Sequence, residues 1–232
     1  MPRIGRIVIA GCPHHLTQRG NNRGDVFFVD DDRRAYLALL QEQSQRFGVE
    51  VLGYCLMTNH VHVVAAPRWA GSLARAVGRA HWRYTRYVNR LHGRSGHLWQ
   101  NRFYSCALDE QHFWQAMAYV ETNPVRAKLV RRAWRYPWSS AAAHCGQPDR
   151  SGLLDLAGWR ERLDGADWRQ RLSQPADEAV VARLRLTTSR GRPLGSDTFV
   201  AKLETLLGRR LRPLSVGRPR KNVNKKRPRW KE

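Results

Sequence analysis

Val49-Glu50-Val51-Leu52-Gly53-Tyr54-Cys55-Leu56-Met57, then Thr58-Asn59, then His60-Val61-His62-Val63-Val64-Ala65-Ala66 is the stretch on which the fold turns. Two runs rich in β-branched and aromatic residues flank a short polar turn, the pattern of an antiparallel hairpin. The hairpin is predicted to form the centre of an antiparallel sheet. Upstream, Asp30-Asp31-Asp32 opens a helix, where acidic residues suit the positive N-terminal end. Tyr36, Leu37, Leu40 and Phe47 follow at mostly helical spacing, and Gly48 ends it. Ile4 to Ala10 and His15 to Gln18 read as extended segments around a Cys12-Pro13 turn, and Arg19 to Gly24 as a loop.

Downstream, Ser72 caps a helix to about Leu91. At 100° per residue, Arg75, Arg79, Arg83, Arg86 and Arg90 fall within about 80° of one another. Leu73, Val77, Ala80, Tyr84, Tyr87, Val88 and Leu91 make the opposite face. No Asp or Glu occurs between Arg68 and Leu108, so nothing nearby in sequence pairs with this stripe. A solvated face is the bland reading; an anionic ligand would offset the like-charge repulsion. His97 to Leu108 reads as a further strand. Asp109-Glu110 opens a helix through Phe113, Trp114, Met117, Tyr119 and Val120, which Asn123-Pro124 is expected to interrupt. Val125 to Val130 reads as a kinked continuation, and Trp134 to Ala143 closes a first domain, residues 1–145. Residues 146–212 read as a small helical appendage, with helices at 177–186 and 197–207; Ser196 or Asp197 caps the second and Gly208 ends it. Residues 213–232 read as a basic tail, expected to be disordered without ligand.

The chain has 232 residues, 41 of them Lys or Arg against 19 Asp or Glu, a net charge of +22. A charge this positive favours a polyanion as partner, nucleic acid first. It is also uneven: residues 1–66 carry +1, 67–140 carry +10, 141–212 carry +4 and 213–232 carry +7. That is the distribution of a chain with one nucleic-acid-facing side. No run of about 18 apolar residues exists, so no membrane helix is expected. Ile7 to Ala10 is too short for a signal-peptide core, and a cytoplasmic, nucleoid-associated location is expected. At 42% hydrophobic with nine Trp, the chain can bury a real core. Cys12, Cys55, Cys106 and Cys145 lie far apart and read as reduced, mostly buried thiols.

His60-Val61-His62 is the most informative triplet. On a strand both imidazoles share a face, and two nitrogens can meet one metal ion. Two ordinary polar strand residues would look the same. Tyr119 and Asn123 stand at i,i+4 on the expected helix. A helix crossing the sheet near the histidines could add the Asn123 carbonyl oxygen as a third ligand, with the Tyr119 hydroxyl a turn away. Taken alone, Asn123 is also a capping residue before Pro124, and Tyr119 a half-buried aromatic.

Four stretches carry a resemblance: His14 to Asn22, Tyr54 to His62, Leu98 to Phe103, and Tyr119-Val120-Glu121-Thr122-Asn123-Pro124-Val125-Arg126. In this order they make the chain similar to the REP-associated tyrosine transposases, within the single-tyrosine HUH transposases. The resemblance implies an α+β fold, with an antiparallel sheet and helices packed on one face, ferredoxin-like. It implies His60, His62 and Asn123 as ligands of a divalent metal, Mg²⁺ or Mn²⁺, and Tyr119 as nucleophile. It implies a transposase-type enzyme that nicks and joins single-stranded DNA at palindromic repeat hairpins through a 5′-phosphotyrosine. Related enzymes include dimers that exchange the tyrosine helix, so monomer and homodimer both stay open. Nothing catalytic carries over to residues 146–212.

The expected DNA contacts are Arg75, Arg79, Arg83, Arg86 and Arg90, with Arg102 and Arg126; Trp82 and Trp99 could stack unpaired bases, although core packing is the commoner role for each. In the tail, Gly217-Arg218-Pro219-Arg220-Lys221 resembles an AT-hook, making Arg218, Arg220 and Lys221 candidates. Two other readings share this pattern. One is a domesticated, non-catalytic DNA-binding protein on the same scaffold. The other is a rolling-circle initiator or relaxase, against which the Tyr119-to-Arg126 pattern argues. No Walker-type loop is present, so no ATP site is expected.

Overall fold

The computed structural model describes residues 5–213. Arg218, Arg220, Lys221 and the AT-hook-like stretch lie outside the described residues. Strands β1 (His14–Arg19), β2 (Val49–Met57), β3 (His60–Pro67) and β4 (Tyr104–Ala107) form one antiparallel sheet in the order β2-β3-β1-β4. The hairpin of β2 and β3 closes over Thr58-Asn59 as expected, with Met57 opposite His60. A bulge between Val51 and Gly53 shifts the register.

Helix α1 (Asp30–Phe47) starts where Asp32, fully buried, accepts the backbone N–H groups of Phe28 at 2.7 Å and Val29 at 3.0 Å. These are donors that a helix start leaves orphaned. Gly48 ends the helix at φ 61°, a left-handed conformation that suits glycine. Helix α2 (Ser72–Leu91) packs beside α1. Together they bury Tyr36, Leu40, Leu73, Val77, Ala80, Tyr84 and Val88 against Leu16, Leu56, Val61, Val63 and Ala65 of the sheet. The alternate strand residues, Cys55, Met57, Val64 and Ala66, face a second core. That core holds helix α3 (Glu110–Arg126), through Phe113, Met117, Tyr119 and Val120. The α+β class with an antiparallel sheet is as expected, but helices cover both faces of the sheet, not one. Nine strand residues can be buried on both sides only if a layer of helices lies on each.

Three other local expectations differ. Ile4 to Ala10 forms no strand among the described residues: Ile7 packs in a third cluster with Leu203 and Leu211. The strand expected over His97 to Leu108 is only its last third. Leu98 and Trp99 are adjacent yet both enter the first core, which a pleated strand does not allow. Third, α3 runs unbroken through Pro124 to Arg126. The proline lies in the last turn, where few hydrogen bonds follow it, and Ala127 N–H still reaches the Asn123 carbonyl at 2.9 Å.

Beyond a short helix α4 (Ala141–His144), helices α5 (Leu156–Leu163), α6 (Trp168–Ser173), α7 (Glu178–Arg190) and α8 (Asp197–Leu207) follow. Trp159, Trp168, Leu172, Val181 and Leu184 join the second core. The appendage is therefore packed on the tyrosine-bearing helix. Glu121 organises that packing. Its carboxylate has no exposure and accepts from Ser140 Oγ at 2.5 Å, His144 Nδ1 at 2.5 Å and Trp168 Nε1 at 2.7 Å. On the other flank of α3, a Cβ at Gly53 would stand 2.4 Å from Met117 Cε, so α3 and β2 approach closely there.

Glu121→Leu keeps the volume but leaves three buried donors without an acceptor. It is expected to cost about 3 kcal/mol, read as a lower urea midpoint at unchanged slope. A midpoint equal to that of the parent chain would show that the network does not hold α3.

Candidate active site

The start of β3 places His60 and His62 on the sheet face that α3 covers, because alternate strand residues share a face. The adjacent strand β1 runs antiparallel, with Thr17 opposite His62. His15 is then a diagonal neighbour of His62 on the same face. Their rings stack at 5.2 Å and 13°, and His15 Nε2 lies 2.9 Å from His62 Nδ1. His15 Nδ1 lies 2.9 Å from the Thr188 hydroxyl of α7. His60 Nδ1 lies 2.7 Å from Asn59 Oδ1. An amide oxygen only accepts, so His60 Nδ1 carries the hydrogen and Nε2 keeps its lone pair. Both candidate ligands thus have Nδ1 engaged and Nε2 unengaged, the arrangement in which an outer partner orients a metal-binding imidazole.

These imidazoles are held neutral. Burial, then the charges of Arg19 and Arg185, push His60 down to about 4. His62 is pushed well below the usual histidine value by burial, then by His15, His60 and the same arginines. Burial alone takes His15 down to about 3. Proton competition for the ring nitrogens is therefore weak at neutral pH.

Helix α3 supplies the other two residues. Tyr119 sits with its ring centre 5.3 Å from that of His62 and 5.9 Å from that of His15, edge-on to both. Asn123, one turn further, is buried, and its Nδ2 has no hydrogen-bond partner among the described residues. Tyr119, Asn123, His60 and His62 line one cavity of about 470 Å³ together with Arg19 and Arg185. Two neutral imidazoles with Nε2 unengaged and a nearby side-chain amide make a donor set that fits a divalent ion of borderline character. Among the described residues, no group of three or more His, Cys, Asp or Glu is arranged to hold a metal, so a site here rests on two histidines and an amide.

The expected DNA-contact residues divide. Arg75, Arg79, Arg86 and Arg90 are exposed along α2, whereas Arg83 is paired with Glu42 of α1. Trp82 is 49% exposed, with the guanidinium groups of Arg79 and Arg86 over its ring at 5.2 and 4.9 Å. Trp99 is instead a core residue, stacked on His81 at 4.5 Å, and is no platform for a base. Arg102 is exposed. Arg126 is bound by both carboxylate oxygens of Glu178 on α7, at 2.5 and 3.2 Å, and so differs from the free cation expected. The arginine stripe belongs to the layer of the first core and the cavity to that of the second, so the sheet separates them.

Three participants stand outside the sequence-derived set: His15, Thr188 and Arg185. His15 was legible in part, as a residue of an extended segment expected beside the strand of His60 and His62, where a structural role was the commoner reading. Nothing local marks Thr188 or Arg185. Arg185 Nε donates to the Tyr119 hydroxyl oxygen at 3.1 Å, across 66 residues of sequence.

A family model described as IS200-like transposase matches residues 9–123. Among solved structures, a REP-associated tyrosine transposase bound to a REP hairpin is similar, with a TM-score of 0.52 at 17% identity over 76% of this chain and 96% of that chain. This likeness shows the fold. A Deinococcus radiodurans R1 protein provisionally assigned as a transposase has a TM-score of 0.37 at 20% identity, over 52% of this chain and 97% of that chain. No curated protein matches the chain.

His14, held down to about 4, and His15 and His81, each to about 3, set an acid limit on the fold. All three are lowered mainly by burial, so the unfolded chain binds more protons once the pH falls below about 6.5. Stability is expected to be flat above that pH and to fall between about 6.5 and 4, by up to ~1.4 kcal/mol per pH unit for each imidazole. Urea midpoints at pH 7, 6 and 5 in metal-free buffer measure this. Equal midpoints would mean that the rings are hydrated.

Proposed function

We propose that the protein, whose residues 9–123 match the model of the IS200-like transposase family, cuts and rejoins single-stranded DNA through Tyr119. The observation that carries this reading is the meeting of Tyr119 with His60, His62 and Asn123 on one cavity. A strand and a helix far apart in sequence bring together a nucleophile and three metal-type donors.

In the proposed step, Tyr119 Oη forms a bond to the phosphorus of a phosphodiester and gives up its proton to solvent. The bond from phosphorus to the 3′ oxygen breaks, and that oxygen takes up a proton to become a 3′-OH. The phosphate stays on the protein as a 5′-phosphotyrosine. A 3′-OH attacking that link reverses the exchange, so the phosphodiester energy is conserved and no nucleotide is consumed. His60 Nε2, His62 Nε2 and Asn123 Oδ1 would hold Mg²⁺ or Mn²⁺. Such an ion, when bound, polarises the scissile phosphate and stabilises the charge that develops on it. The neutral imidazoles keep their lone pairs for it.

The similar transposase is bound to a REP hairpin. We extend that to this chain as the substrate class: a hairpin of palindromic repeat, cut in its flanking single strand. Trp82 between Arg79 and Arg86 offers a stacking face with phosphate-binding groups on each side.

One observation favours the non-catalytic DNA-binding alternative: Tyr119 is only 4% exposed. A labelled single-stranded hairpin incubated with Mn²⁺ separates the two. The enzyme reading expects a denaturation-resistant protein–DNA adduct in the parent chain, and its loss in Tyr119→Phe at unchanged hairpin affinity. An adduct undiminished in that variant would sink Tyr119 as the nucleophile. Tight binding with no adduct from the parent chain would support the binder.

Replacing Arg79 and Arg86 together by Gln should weaken hairpin binding and reduce the slope of log K against log salt by about 1.5. The same change at the paired Arg83 should move the slope far less. Equal slopes in all three proteins would mean that the stripe is only solvated.

A further inference from the structure

Helix α7 lies well beyond the segment that the family model matches, yet it completes the wall around Tyr119. We infer that Arg185 is a catalytic residue of the proposed reaction: it holds the tyrosine oxygen and grips the phosphate that this oxygen attacks. The inference rests on the tyrosine chemistry proposed above and adds to it a residue from the appendage.

The geometry is specific. Arg185 Nε donates to Tyr119 Oη at 3.1 Å, and its guanidinium lies 5.5 Å from the ring centre. Among the described residues no carboxylate lies within salt-bridge distance of it. Its neighbours in space are otherwise paired: Arg126 has Glu178. Arg185 thus sets a cation on the nucleophilic atom with no carboxylate in direct contact, although Glu178 of the same helix, itself bound to Arg126, is near enough to feel its charge. A guanidinium has five N–H donors in a rigid fork, and the Tyr119 oxygen occupies only the one on Nε. The terminal nitrogens make no hydrogen bond to other described residues. A phosphate placed for attack must come within about 3–3.5 Å of Oη. Because Nε is tied to that oxygen, the terminal nitrogens of the same rigid fork are within reach of such a phosphate, so one side chain can align nucleophile and phosphate. Negative charge grows on the phosphoryl oxygens in the transition state, and a fixed cation there stabilises it more than the ground state.

The helix is held rigidly enough for this. Val181 and Leu184 are buried in the second core, Thr188 bonds His15, and Glu178 holds Arg126. Asp177 caps its first turn by accepting from Ala179 N–H at 2.9 Å. Arg185 itself is exposed, so its replacement leaves these anchors in place.

The test uses the full chain carrying Arg185→Ala or Arg185→Lys, with Tyr119→Phe as reference, on a labelled single-stranded hairpin with Mn²⁺. Hairpin affinity and the single-turnover rate of adduct formation are read separately. The expected result is an affinity within about 3-fold of the parent and an adduct rate lower by roughly 10²–10³ in Arg185→Ala. Arg185→Lys should recover part of the rate, since charge remains but the fork is lost. Added guanidinium should restore part of the Arg185→Ala rate, which a purely structural arginine would not allow. An unchanged rate in Arg185→Ala overturns the proposal, provided that Tyr119→Phe forms no adduct. A raised rate also overturns it, since α7 would then only shield the tyrosine. So does an equal loss of binding and rate without guanidinium rescue. An undiminished adduct in Tyr119→Phe is a different failure, that of the tyrosine reading itself.

Discussion

A single buried carboxylate decides where the tyrosine helix lies. Glu121 projects from α3 into a space with no solvent, and three donors from two other helices and the turn before them converge on it. A carboxylate without exposure is tolerated only when its lone pairs are satisfied. The three bonds can form only if α4 and α6 pack on one flank of α3 while Met117 closes on Gly53 from the sheet. With the helix fixed in rotation and height, Tyr119 and Asn123, one turn apart, face the histidines of β3. The cavity is a consequence of that constraint, and so is the position of the appendage.

The second determinant is the placing of three imidazoles side by side, His15 and His62 buried and His60 half-buried. His15, His60 and His62 lie within one layer, near two arginines, and each loses most of its affinity for a proton there. This arrangement is costly in acid, when the unfolded chain gains protons that the folded chain refuses. It is useful at neutral pH, where the rings keep their lone pairs. The stacked His15–His62 pair, bonded in turn to Thr188, orients the deeper of the β3 imidazoles through a contact from the appendage.

Charge and chemistry are separated across the sheet. The stripe on α2 belongs to one layer, and the tyrosine, the histidines and α7 to the other. A nucleic acid that uses both must pass around an edge of the sheet, and a hairpin with a flanking single strand has the two parts such a path needs. Pairing within the protein trims the apparent excess of cations. Arg83 and Arg126 spend their charge on Glu42 and Glu178, while Arg79, Arg86 and Arg185 keep theirs.

The hairpin of β2 and β3, the helices from Asp30 and Ser72, and the pairing of His60 with His62 and of Tyr119 with Asn123 were legible in the sequence by itself. Each rests on a local period, 2 on a strand and 3.6 on a helix, which backbone geometry imposes wherever the element forms. The residues 98–103 and Pro124 misled because tertiary packing overrode the local preference in each. Whether the two pairs meet, which arginines stay free, and that Arg185 reaches Tyr119 were decided only by the tertiary structure. Those outcomes depend on contacts between side chains far apart in the chain, and no periodicity records the partner that a buried carboxylate or an exposed guanidinium will find.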